Sequence, residues 1–135
     1  MLITITENSM TDISGNWLGT YWQDEIPTRF EAAFVQSGNA LTGSILDDSY
    51  LGEATVNGDV IGRSLSFTKC YLVTSNAPVT YTGTISQKED YMQGKWNIGL
   101  HYSGSWEARR SGDNLIVDLQ TRLAKETLLT TSKNL

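Results

Sequence analysis

With 135 residues, of which 39% are hydrophobic and 19% charged, the chain has the composition of one soluble globular domain and is too short for two sizeable cores. A net charge of −5, with only ten Lys and Arg, excludes a sequence-independent nucleic-acid binder, which needs a basic face to neutralise phosphates. The single Cys70 excludes an intramolecular disulfide and a multi-cysteine zinc site, and no cofactor or metal ion is expected.

Residues 1–12 read as an N-terminal arm, polar after the short apolar alternation of Leu2, Ile3 and Ile5. The arm lacks a basic start and an apolar stretch of signal-peptide length, so a cytoplasmic location is expected. No run reaches transmembrane length, and no membrane partner is expected.

From Ile13 onward strand-like runs follow one another, divided by short turn signals. The predicted strands are 13–23, 28–36, 40–48, 51–57, 60–72, 79–87, 91–98 and 101–110. Asn57-Gly58-Asp59 reads as a hairpin turn, because Asn-Gly suits the left-handed positions of a two-residue loop. Glycines stand two residues from large side chains at Gly15/Trp17, Leu41/Gly43, Tyr81/Gly83, Gly94/Trp96 and Gly104/Trp106. Both members of each pair share a strand face, and glycine inside a strand marks a bend or a close approach. The expectation is an all-β, eight-stranded antiparallel up-and-down (meander) barrel, with an open sandwich as the alternative.

Ser111-Gly112-Asp113 breaks the strand pattern and offers a helix cap. Leu115, Ile116, Leu119 and Leu123 recur at helical spacing, which predicts a C-terminal amphipathic helix. Leu115-Ile116-Val117 as a ninth strand is the competing reading. The domain plan is therefore 1–12 arm, 13–110 barrel, and 111–135 helix and tail.

Parity assigns the faces. Trp17 and Tyr21 fall on one face of the first strand, Asp47 on the ring-rich face of the third, and Phe67, Lys69 and Tyr71 on that of the fifth. Tyr81, Trp96, Trp106 and Arg110 follow on the later strands. This set is assigned to the interior, because burying it drives folding. Asp47 and Lys69 then go inward too, where an unpaired charge costs several kcal/mol. Either Lys69 pairs with Asp47 or Asp48, or it meets an anionic group of a ligand. The first and last strands of a closed meander are neighbours, so Trp17 is expected to stack under Arg109 or Arg110.

These residues resemble the calycin architecture of lipocalins, fatty-acid-binding proteins and avidins. The lipocalin pattern of Gly-x-Trp with a terminal-strand Arg packed over it is matched by Gly15, Trp17 and Arg109/Arg110. Avidins share that opening and the Leu41-Thr42-Gly43 step. The chain is also similar to a group of bacterial barrels with Phe-x-Lys-x-Tyr, Tyr-x-Gly-x-Ile, Gly-x-Trp-x-Ile and Ser-Gly-x-Trp-Glu. Those motifs stand here at Phe67–Tyr71, Tyr81–Ile85, Gly94–Ile98 and Ser103–Glu107. The resemblance implies a barrel with a small-ligand cavity. Avidin's polar biotin contacts have no clear counterparts, so biotin binding is not implied.

Three functions follow as alternatives. One is a non-enzymatic barrel binding a small organic or anionic ligand, walled by Tyr21, Phe67, Tyr71, Tyr81, Trp96 and Trp106, with Lys69 and Asp47 as polar contacts. Another is a filled barrel acting as an interaction or scaffold module that self-associates through its terminal segments. The third is an enzyme using Lys69 as base or Schiff-base nucleophile. No catalytic residue is otherwise indicated. The lone His101 lies between strands and supports neither a triad nor a multi-histidine metal site, and Asp47 and Asp48 point to opposite faces.

Overall fold

The computed structural model describes residues 11–75 and 77–111. They form β1 (Gly15–Gln23), β2 (Ile26–Ser37), β3 (Ala40–Asp47), β4 (Glu53–Ile61), β5 (Ser64–Tyr71), β6 (Val79–Ile85), β7 (Tyr91–Ile98) and β8 (Tyr102–Arg110). Each strand pairs antiparallel with the next, and β8 pairs with β1, so the sheet closes into an up-and-down barrel rather than a sandwich. Closure leaves none of the eight described strands with an unpaired edge. The C-terminal helix, its ninth-strand alternative and residues 1–10 of the arm lie outside the described residues.

Two turns differ from expectation. Strand β4 does not stop at Asn57-Gly58-Asp59 but continues to Ile61, and the chain turns at Gly62, where φ is 62°. Gly58 points inward opposite Phe67, where a Cβ would lie 2.5 Å from the Phe67 Cα. The glycine is therefore set by a neighbour on β5, not by a turn. The β1–β2 hairpin is tighter than expected: Asp24 and Glu25 occupy φ of 51° and 68°, the two left-handed positions of a short hairpin loop, and β2 starts at Ile26.

The faces fall as parity requires. On β5, Leu65, Phe67 and Lys69 are buried while Ser64, Ser66, Thr68 and Cys70 are exposed. The middle of the barrel is filled by rings. Phe67 stacks on Tyr81 with centroids 4.8 Å apart, and Trp106 meets Tyr81 edge-on at 5.5 Å. Phe34 closes on Phe67 at 5.6 Å. Such contacts add to the hydrophobic stabilisation of burying the rings.

One end of the barrel, where β1 begins and β8 finishes, is sealed. Trp17 is fully buried, and its indole N–H donates to the Ile13 carbonyl at 2.9 Å. The Arg110 guanidinium lies 4.5 Å from the Trp17 ring and donates to the carbonyls of Glu89 (2.7 Å), Ser14 (2.7 Å) and Asp12 (2.9 Å). Register decides between the two arginines, since Trp17 pairs with Arg110 and Leu18 with Arg109. Arg109 instead lies outside, 4.7 Å from the Tyr91 ring. The closed barrel with this seal is compatible with calycin-like barrels.

Candidate functional site

At the opposite, open end, four connections meet: 24–25, 48–52, 72–78 and 99–101. Just beneath them sits the only charged pair in the described interior. Asp47 is the last residue of β3, and Lys69 lies near the end of β5, so both inward side chains arrive at the same level. Lys69 Nζ lies 2.7 Å from Asp47 Oδ1, and both side chains are completely shielded from solvent. The other carboxylate oxygen, Oδ2, accepts from the hydroxyls of Tyr21 (3.0 Å) and Tyr71 (2.5 Å). The carboxylate is thereby saturated with three donors, as a buried anion requires.

The ammonium is enclosed by rings. Its nitrogen lies 4.7 Å from the Tyr71 centroid, 4.9 Å from Tyr21 and 5.6 Å from Tyr81. Burial pushes the Lys69 pKa down, and the charge and hydrogen bond of Asp47 pull it back up. Burial, then the adjacent Asp47 carboxylate, holds the Tyr71 phenol well above the usual tyrosine range. Tyr21 and Tyr81 are raised in the same way, with burial again the larger cause. All three phenols are therefore protonated at neutral pH.

Above this network a recess of about 120 Å³ opens between the loops. Tyr21, Tyr71, Tyr81 and Trp96 form its aromatic wall, and Leu51 and Ile98 its apolar rim. The Trp96 ring meets Tyr21 edge-on at 6.2 Å, and its indole N–H is held by the Trp22 carbonyl at 3.0 Å. Tyr81 lines the recess with 2% of its surface exposed, and its hydroxyl makes no hydrogen bond among the described residues; the one side-chain polar atom among those residues that is both shut off from solvent and unpartnered is Ser111 Oγ. Wider hollows of about 580 and 1340 Å³ lie on the outer wall, across β8-β1-β2-β3 and over β6-β7-β8. The first counts Phe30 and Asp47 among its lining residues, and the second Trp96 and Trp106.

The structure thus brings together six of the eight residues expected at a ligand site: Tyr21, Asp47, Lys69, Tyr71, Tyr81 and Trp96. Phe67 and Trp106 lie outside the recess, in the stacked middle of the barrel; the Trp106 indole donates to the Thr82 carbonyl at 3.1 Å. Of the two readings for Lys69, the pairing with Asp47 is what the structure shows, while Asp48 is exposed. His101 is exposed in the 99–101 loop. Sequence reasoning missed Gln23, Leu51, Ser75, Ala77, Val79 and Ile98 as recess residues. Extending parity one step beyond Tyr21 and Trp96 reaches Gln23 and Ile98. Leu51, Ser75 and Ala77 sit on loops, where no period indexes a side chain. Comparison with protein-family models gives no match for the chain, and comparison with curated proteins gives none either.

Proposed function

We propose that this barrel is a non-enzymatic binding protein that takes a small organic molecule, or one small group of a larger one, into the recess at its open end. The observation that carries the reading is the Tyr81 hydroxyl, without a hydrogen bond among the described residues, on a side chain that lines a recess beside the linked Asp47–Lys69–Tyr21–Tyr71 network. A barrel that needed only stability would fill this level with apolar side chains, since a buried ion pair rarely stabilises more than its hydrophobic replacement. Held in place, such a network fixes the directions of its rings and hydroxyls, which is what a preorganised site requires.

The size of the recess limits the occupant. At roughly 30 Å³ per water in the liquid, about 120 Å³ matches about four waters, well short of a lipid or a whole biotin-sized molecule. A Schiff-base enzyme finds little support, because Lys69 Nζ is fully buried, bound to Asp47, and absent from the recess wall. An interaction or scaffold role is the second reading, favoured by the ring-filled barrel middle.

The test is a small-metabolite screen read by proton–nitrogen NMR of the Trp96 indole, assigned with Trp96→Phe. A binder is expected to move that signal, and Tyr81→Phe is expected to weaken it. Compounds that move only outer-wall signals, or a broad screen that leaves the Trp96 indole untouched, would sink the proposal. Light scattering on a chain ending at Arg110 examines the scaffold reading, which loses its terminal-segment basis if the oligomeric state does not change.

A further inference from the structure

The donors and acceptors of the recess are not balanced. Tyr21 and Tyr71 each spend their one hydroxyl proton on Asp47 Oδ2, so toward the recess they can offer only lone pairs. Lys69, the strongest donor nearby, gives one of its three N–H groups to Asp47 Oδ1 and does not line the recess. Of the polar groups on the recess wall, Tyr21 and Tyr71 can only accept, while Tyr81, Gln23 and Ser75 can either donate or accept, so a group carrying several N–H donors is the one that suits all five.

Charge at the same end has one sign. The connections there and the strand residues flanking them carry Asp24, Glu25, Asp48 and Glu53, all exposed, and no Lys or Arg. Lys69 does not reverse this, because Asp47 cancels it at 2.7 Å. The loops are also unusually apolar at their tips: Ile26, Tyr50, Val73 and Leu100 are between 67% and 98% exposed. At the sealed end the 38–39, 62–63 and 86–90 connections carry no large apolar residue, and Ile61 (66%), which flanks 62–63, is the counterpart there of Ile26. Exposed apolar groups gathered at one end mark a contact surface rather than a solvated one.

Resting on the reading of the recess as a ligand site, we infer that its ligand is an organic cation: an ammonium group on an apolar stem. The ammonium supplies donors to the tyrosine oxygens and lies against ring faces, which attract cations. The stem passes out between Leu51 and Ile98 toward the apolar loop tips. The carboxylates add a long-range pull that favours a cation over its neutral or anionic counterpart. The anionic ligand that Lys69 suggested in the sequence is therefore disfavoured. Both a free amine and the lysine side chain of a partner carry this chemistry.

Three molecules of one shape test it: n-butylammonium, 1-butanol and butyrate, titrated against the Trp96 indole signal of the full chain. Butylammonium is expected to bind about tenfold more tightly than butanol, with butyrate weakest, and added salt is expected to loosen the ammonium alone. Asp24→Asn with Asp48→Asn narrows the gap between ammonium and alcohol. A blocked Gly-Lys-Gly peptide separates the sources: tighter binding than butylammonium assigns the cation to a partner's lysine, weaker binding to a free amine, and either supports the inference. Butanol or butyrate binding as tightly as butylammonium overturns the cation preference while leaving the recess as a site. If neither these compounds nor the wider screen moves the indole, both proposals fall together.

Discussion

Replacing Lys69 by methionine removes the cation and keeps most of the stem, which isolates the charge. At 2.7 Å the pair attracts by about 6 kcal/mol at an effective dielectric constant near 20, against several kcal/mol for dehydrating each ion. The intact pair therefore comes close to breaking even. The single substitution does not, because it leaves the Asp47 carboxylate inside a ring-lined core with two tyrosine donors and no counter-charge. Lys69→Met is expected to cost about 3–5 kcal/mol, a large part of the roughly 5–15 kcal/mol typical of a domain. Asp47→Asn alone strands the ammonium instead and should also be costly. Combined, Lys69→Met with Asp47→Asn should recover at least about 2 kcal/mol relative to the sum of the singles, since the asparagine oxygen can still accept from the tyrosines. Urea unfolding followed by tryptophan fluorescence gives all four corners of the cycle, with a midpoint shift of roughly 2 M for Lys69→Met. A loss below about 1 kcal/mol for that variant, or strict additivity of the two changes, would refute the reasoning.

The seal at the other end makes its own prediction. Arg110→Ala removes a guanidinium serving three carbonyls and the Trp17 ring, and should cost about 2–4 kcal/mol in urea unfolding, whereas Arg109→Ala on the outer wall should stay within about 0.5 kcal/mol. Gly58→Ala should destabilise by about 1–3 kcal/mol, because the methyl group is driven against the β5 backbone at Phe67; a neutral result would mean that the two strands can part. Alkaline pH should unfold the barrel steeply. The folded pKa values of Tyr21, Tyr71 and Tyr81 lie above the unfolded value near 10, so their contribution is complete below that pH and is lost as pH rises. Each phenol kept protonated then costs about 1.4 kcal/mol per pH unit. Lys69, whose pKa is lowered, works the other way only until the unfolded lysine itself deprotonates near 10.4. All six tyrosines ionising near pH 10 with the fold intact, by phenolate absorbance, would contradict this.

How far the sequence could be read depended on whether a feature was local. Alternation on β5 separated Leu65, Phe67 and Lys69 from Ser64, Ser66 and Thr68 without any knowledge of neighbours. The same parity placed Asp47 and Lys69 inside. Their contact, however, needs the registers of β3–β4 and β4–β5 together, in which Ala54 stands opposite both Ile45 and Tyr71. Two outcomes for Lys69 were accordingly open until those registers were in hand. Gly58 was misread for the same reason. Beside Asn57 it satisfies a local turn rule, while the constraint that fixes it comes from Phe67 on another strand. The recess was out of reach for a different reason. It arises from four loops of unequal length meeting over the strand ends, and loop side chains follow no periodicity.

Because β1 departs from the sealed pole and β8 returns to it, both points where the barrel joins the rest of the chain lie on the face opposite the aromatic mouth. A surface, a tag or a fused enzyme joined directly at Ile13 or at Arg110 leaves the mouth pointing away from its anchor. The barrel is in that sense oriented by its own connectivity, and copies held at those two points would present their recesses outward.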